Sequence, residues 1–396
     1  MRAGSAAKRA RMPGRSSPNR IRRIHEPLVT RPGFIRLAVA WTTVAAMLLA
    51  DPVRLVGAHP VITALLFAWL LAVILWSAFG VVHEAEEVAE RLGEPLGTLV
   101  LTLSIVIIEV ALIGAVMLSA KAVPTLGRDT MFAVLMIVLN GVVGLCLLVG
   151  GLRFHQQSYN LQGATAYLAV IIPLSVIALV LPNFTTSSAT GMLSLPQALF
   201  FSAFTIALYI GFLWLQTGRH RGFFVAVGQQ AGEDAATPPP HGERVPGSNT
   251  SRVLLLLANI LPIVILSKDL AKLLDHGIAV LGAPTALGGI LIALIVFTPE
   301  GISALRAVAA NQLTRAINLC LGAATSTLGL TVPAVLFIGL ATGQPVILGV
   351  SPANMVLLGV TLMLNTLTFS GTRTTMLEGA VHLSLFSVFL VLVFSP

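Results

Sequence analysis

Two glutamates sit inside runs of apolar residues, where a carboxylate needs a reason. Glu109 has Ile105 to Ile108 before it and Val110 to Ile113 after it. An ionised carboxylate at the centre of a membrane helix costs about 2.5–3.5 kcal/mol on insertion scales. That cost predicts a position facing other helices or a water-lined cavity, where the group can hold either a proton or a cation. A glutamate hydrogen-bonded only for structure is the plainer alternative. Glu300 is the second such group, flanked by Thr298, Pro299 and Gly301. Proline removes a backbone donor, and a helix broken there would free carbonyl oxygens, the ligands that hard cations take. The run Thr-Pro-Glu-Gly equally fits a loop closing the preceding span, which Arg306, six residues on, favours.

Further polar groups lie in or near the apolar runs: Asn140, Asn311, Gln312, Asn318, Thr325 and Ser326. Each could supply a ligand oxygen or hydrogen-bond helices together. Thr298, Asn311, Thr325 and Ser326 are the candidates to join the two glutamates. Glu378 and His382 are spaced i, i+4 and could face one another on a helix. The segment His83-Glu84-Ala85-Glu86-Glu87 invites a zinc-hydrolase reading, but Glu87 stands where the second histidine of H-E-x-x-H must be. Glu84, Glu86, Glu87 and Glu90 on a short cytoplasmic helix read either as a solvated face or, with His83, as a vestibule that attracts cations. No Gly-rich phosphate loop or Ser/His/Asp set accompanies them, so ATP-driven pumping and hydrolysis lack residues.

These groups need a scaffold, and the composition names it. Of 396 residues, 56% are hydrophobic and only 10% charged, against roughly 25% charged in a soluble domain. Mean hydropathy is +0.91. So few charges cannot cover that much apolar side chain in water; lipid must. The net charge of +8 is concentrated at one end. Residues 1–36 hold ten Arg or Lys against the single acid Glu26. Such a tail holds a terminus on the cytoplasmic side or lies on anionic lipid, and nucleic acid is not the expected partner. Cys146 and Cys320 both fall in apolar runs, which excludes a disulfide framework or a zinc finger.

Eleven apolar stretches follow, at about 34–50, 59–82, 95–120, 131–150, 163–181, 194–216, 253–267, 284–299, 316–341, 345–366 and 376–394. Most approach the roughly 20 residues that span the hydrocarbon. With the N-terminus inside, 19 basic residues fall on the cytoplasmic side and 5 outside, which predicts N-in, C-out. The fold expected is an all-α polytopic membrane protein. Its parts are a basic tail (1–36), a first helix and loop (37–58), two halves (59–216 and 251–396) and a polar cytoplasmic linker (217–250) containing Pro238-Pro239-Pro240. Gly97 precedes Glu109 by twelve residues, and Gly288 precedes Glu300 by twelve. The two spans are five apart and so cross in opposite senses, the arrangement of an inverted repeat around a midplane site.

At these residues the chain resembles the calcium/cation–proton antiporter family, and specifically its bacterial ChaA-type branch. The carriers are GVVHEAEEVAERLGEPLGTLVLTLSIVIIEVALI (80–113) and FTPEGISALRAVAANQLTRAINLCLGAATSTLGLTVPAVL (297–336). The resemblance implies eleven helices: an extra first helix and two inverted five-helix repeats. It also implies exchange of cytoplasmic Na⁺, Ca²⁺ or K⁺ for protons, with Glu109 and Glu300 as the signature glutamates that hold the ion. In the wider family each glutamate follows Gly-Asn-Ala-x. Here Ile105-Val106-Ile107-Ile108 and Phe297-Thr298-Pro299 stand instead, and Gly301 replaces a histidine. The amides that would ligate a divalent ion are missing, which weakens calcium selectivity and leaves Na⁺ or K⁺ exchange. The expected protein is therefore an antiporter of the bacterial inner membrane whose partners are cations, protons and lipid, with no resident cofactor. Two other classes remain: a membrane-embedded metal enzyme at His83 and Glu84, and a passive cation channel.

Overall fold

The computed structural model describes residues 30–50, 59–92, 96–118, 123–225 and 249–395. Most of the basic tail, the 51–58 loop and most of the 217–250 linker lie outside the described residues.

The described chain is a bundle of eleven helices: α1 Arg31–Ala50, α2 Pro60–Leu92, α3 Leu96–Met117, α4 Leu126–Phe154, α5 Leu161–Asn183, α6 Leu195–Thr217, α7 Asn249–Leu281, α8 Ala286–Ala309, α9 Leu313–Thr342, α10 Pro352–Thr368 and α11 Met376–Phe394. Ten are long and apolar enough to cross a membrane; α10, with 17 residues, is shorter. The eleven apolar stretches each correspond to one helix. Their ends differ from those read in the sequence, because a helix need not stop where hydropathy stops. Thus α2 runs ten residues past Val82, so His83–Glu90 is the last part of a membrane helix and not a separate short one. Likewise α8 continues through Pro299 to Ala309, so Glu300 sits neither in a broken helix nor in a closing loop.

The helical irregularities fall elsewhere. The ladder widens to π geometry at Ile137–Val142 in α4, Val176–Val180 in α5 and Thr327–Thr331 in α9. Two of these have a local cause. Pro182 and Pro333 cannot donate to the carbonyls four residues back, at Ala178 and Gly329, and the turn opens there. No proline follows the α4 segment, which contains Asn140 and Gly141.

Helices α4 and α9 form the middle of the bundle, with 78% of the apolar window of α4 buried against 22% for α11 at the edge. Close approach depends on missing side chains. A Cβ on Gly289 of α8 would lie 2.6 Å from the Thr130 amide nitrogen of α4. Gly379 of α11 and Gly144 of α4 meet in the same way.

Connections gather at two ends. At one end, Gln157–Ser158 pairs antiparallel with Arg373–Thr374, Gln157 Nε2 donates to the Val308 carbonyl, and Asn160 holds the carbonyls of Gly222 and Val225. At the other end, Asn183 donates to the Val350 carbonyl and Arg128 to the Gly349 carbonyl. Arg153, Arg219, Arg221, Arg306, Arg315 and Arg373 belong to the first end, the side expected to be cytoplasmic.

Candidate ion-binding site

Glu109 is fully buried on α3. Its Oε2 accepts hydrogen bonds from the hydroxyls of Thr327 and Thr331, each at 2.9 Å. Those threonines are four apart on the π segment of α9 and so present one face to α3. The other oxygen, Oε1, is buried with no hydrogen-bond partner. One oxygen is therefore held by two donors, and the other by none.

Glu300, on the middle turn of α8, is 6% exposed, and neither of its carboxylate oxygens has a partner. It is one of the residues lining a cavity of roughly 210 Å³. The cavity is walled by α2, α3, α5, α6 and α9 and runs along α3 as far as Ile105, one turn short of Glu109. Tyr167 and Gln216, bonded to each other at 2.7 Å, close one wall. Glu86 and Arg315 also line it. Of the two glutamates, only Glu300 lines the cavity.

The remaining sequence candidates divide. Thr298 donates to the Leu294 carbonyl at 2.6 Å, Thr325 to Leu321 at 2.7 Å and Ser326 to Ala323 at 2.9 Å, so each hydroxyl proton is used by its own helix. Ser326 still lines the cavity beside Glu300. Asn311 does not: it is an exposed residue with φ of 59° in the bend between α8 and α9, bonded to Gln157. Its neighbour Gln312 is exposed too, and Asn318 faces the cavity while donating to the Phe224 carbonyl.

The four-residue vestibule also splits, because α2 turns its faces in different directions. Glu86 faces the cavity. Glu84 is buried and pairs with Arg252 of α7 at 3.3 Å and Arg36 of α1 at 4.0 Å. Glu87 takes Arg252 at 2.6 Å, and His83 meets Glu87 at 3.4 Å. The Glu90 side chain lies outside the described residues.

Glu378 and His382 share no hydrogen bond or ion pair among the described residues. Glu378 accepts from the Thr375 amide at 2.8 Å and from its hydroxyl, capping α11. His382 is fully buried and joins Asn140 of α4 at 3.2 Å and Thr368 of α10 at 3.0 Å. Asn140 in turn donates to Thr361 at 2.8 Å, so its amide serves a network linking three helices. Thr327 and Thr331 were the residues that sequence reading missed. Their signal was present as two threonines i, i+4 around Gly329, but nothing local said which helix they would face.

No group of three or more His, Cys, Asp or Glu suited to a metal occurs among the described residues. A profile described as sodium/calcium exchanger protein matches residues 62–218 and 251–395. The chain belongs to the sodium/calcium exchanger family. It is 41% identical to y4hA of Sinorhizobium fredii over 350 residues, 88% of this chain and 92% of the relative. It is 39% identical to the sodium-potassium/proton antiporter ChaA of Escherichia coli over 336 residues, 85% of this chain and 90% of the relative. Among solved structures, native YfkE superimposes with a TM-score of 0.68 at 17% identity, covering 92% of this chain and 100% of that one. The H⁺/Ca²⁺ exchanger CAX gives 0.63 at 15%, covering 91% and 89%. The protein is thus a multi-pass membrane transporter, not an enzyme, and the metal-enzyme alternative at His83 and Glu84 falls away.

Proposed function

We propose that this protein is a cation/proton antiporter of the bacterial inner membrane that expels cytoplasmic Na⁺ or K⁺, and Ca²⁺ less well, by alternating access at Glu109 and Glu300. The observation that carries the proposal is the unequal state of two buried carboxylates. Glu300 lines a cavity and neither of its buried oxygens has a partner, while Glu109 lies off that cavity with one oxygen held by Thr327 and Thr331. A carboxylate without protein partners is ready for a cation or a proton from the cavity, and it cannot hold both. Net exchange follows from that competition and requires no ATP. With the N-terminus inside, the cavity opens to the cytoplasm and the state is inward-facing.

An inverted repeat of 59–216 and 251–396 is part of the proposal. Asn140 follows Glu109 by 31 residues and Thr331 follows Glu300 by 31, each within a π segment. The helices that open the two halves, α2 and α7, both have 33 residues. On this view the outward-facing state exchanges the roles of the halves, releasing Glu109 and covering Glu300. The E. coli relative bears the name of a sodium-potassium/proton antiporter, which supports monovalent exchange. The absence of amide side chains beside either glutamate supports it too.

Everted vesicles acidified by respiration test this. Adding Na⁺, K⁺ or Ca²⁺ should release the pH gradient, and Glu109→Gln or Glu300→Gln should abolish the release at normal expression. Full exchange in both variants would refute the mechanism. Cation movement without any proton movement would identify a passive channel instead.

A further inference from the structure

A cation approaching Glu300 through this cavity passes two opposite charges. Arg315, in the first turn of α9, lines the cavity and is exposed; Glu86, on α2, lines it and is half-buried. Among the described residues neither takes part in an ion pair. The adjacent acids do: Arg252 takes both Glu84 and Glu87. Of the acids in that row with described side chains, only Glu86 is left to face the ion path, and Arg315 opposes it.

We propose that Arg315 and Glu86 set the preference between monovalent and divalent cations at this mouth, Arg315 acting against divalent ions and Glu86 in their favour. The inference rests on the antiporter reading and names the substrate class that this entrance admits. A fixed charge changes the local concentration of an ion by a Boltzmann factor whose exponent is proportional to the ion's charge. Whatever factor Arg315 imposes on Na⁺, it imposes squared on Ca²⁺. A unit charge about 10 Å away in a water-filled mouth changes a monovalent concentration about two- to fourfold, and a divalent one by the square of that. The side chains need not touch the ion; they are specificity-determining and not ligands.

The test measures half-activating concentrations of Na⁺ and Ca²⁺ for proton release in everted vesicles. Arg315→Gln should lower the value for Na⁺ about two- to fourfold and that for Ca²⁺ by about the square of the same factor, with maximal rate unchanged. Glu86→Gln should raise both with the same square relation, and Arg315→Lys, which keeps the charge, should match the wild type. Raising choline chloride from 50 to 500 mM should shrink every difference, because the Debye length falls well below 10 Å. A structural role would give neither opposite signs nor screening. Equal shifts for Na⁺ and Ca²⁺, or differences indifferent to choline chloride, would overturn the proposal. Should Arg315→Gln fail to fold, Arg315→Met carries the same expectation. Binding of ⁴⁵Ca²⁺ to purified protein in nanodiscs reads the same order of variants without transport. Wild-type vesicles that release no protons with any cation would refute the antiporter reading, whereas active wild type with unchanged selectivity in the variants refutes this inference alone.

Discussion

Replacing Arg252 should destabilise the protein more than replacing either acid it holds. The guanidinium, 11% exposed, lies 3.3 Å from Glu84, itself 6% exposed, and 2.6 Å from Glu87, which is 31% exposed. Removing one partner from a buried ion pair costs about 3–5 kcal/mol, because the other charge is left in a low-dielectric site. Glu87 can turn to water and adds at most about 1 kcal/mol. In Arg252→Leu, Glu84 keeps only Arg36, at the outer limit of 4.0 Å. A loss of about 3 kcal/mol is therefore expected. Glu84→Leu is milder, about 1–2 kcal/mol, because Arg252 keeps Glu87, and Arg36 keeps Asn259 at 3.2 Å. The double variant removes both buried charges together and should fall short of the sum of the singles by about 1–2 kcal/mol. Reversible unfolding by SDS titration in mixed micelles measures all three. A double variant equal to the sum, or an Arg252→Leu protein as stable as the wild type, would refute the reasoning and make this cluster a solvated one.

Three further outcomes follow from other contacts. Thr327→Val and Thr331→Val each remove a donor from the Glu109 carboxylate with little change of shape. A hydrogen bond to a charged group is worth about 1.5–3 kcal/mol, so exchange should slow at least tenfold in the double variant, measured in vesicles, while Thr325→Val, whose hydroxyl bonds its own helix, changes little. Gly289→Val should abolish the folded protein on size exclusion, since its Cβ would stand 2.6 Å from the Thr130 nitrogen, a backbone atom that cannot turn aside. Tyr159, between α4 and α5, donates its hydroxyl to the Gly371 carbonyl, and burial together with the Glu378 carboxylate pushes its pKa up to about 12. An unfolded tyrosine ionises near 10. The stabilisation is therefore complete below pH 10 and lost as pH rises toward 12. Tyr159→Phe should unfold more easily at neutral pH and lack that alkaline loss, which melting curves at pH 8 and 11 would show.

The membrane bundle was legible because it depends on composition. Apolar runs near 20 residues, few charges and a biased placement of arginine have one physical solution, and α1 to α11 follow the runs in order. Glu109 and Glu300 were legible because a carboxylate in such a run is rare at any depth. Helix ends were less so. Hydropathy falls at His83 and at Pro299, but backbone hydrogen bonds continue, since α2 and α8 have packing partners beyond those points.

What the sequence by itself determined is therefore local: which segments enter lipid, and which charges are costly there. Partnership was decided by the tertiary structure. Thr325, Ser326, Thr327 and Thr331 are similar residues on one helix, and only the packing of α9 against α3 selects the last two as donors to Glu109. Glu84, Glu86 and Glu87 read alike, yet α7 brings Arg252 to two of them and leaves Glu86 on the cavity. Asn140 and His382 are 242 residues apart and meet only because Gly144 and Gly379 let their helices touch. A side chain's direction on a helix follows from its own sequence position, but what stands opposite depends on every other helix in the bundle.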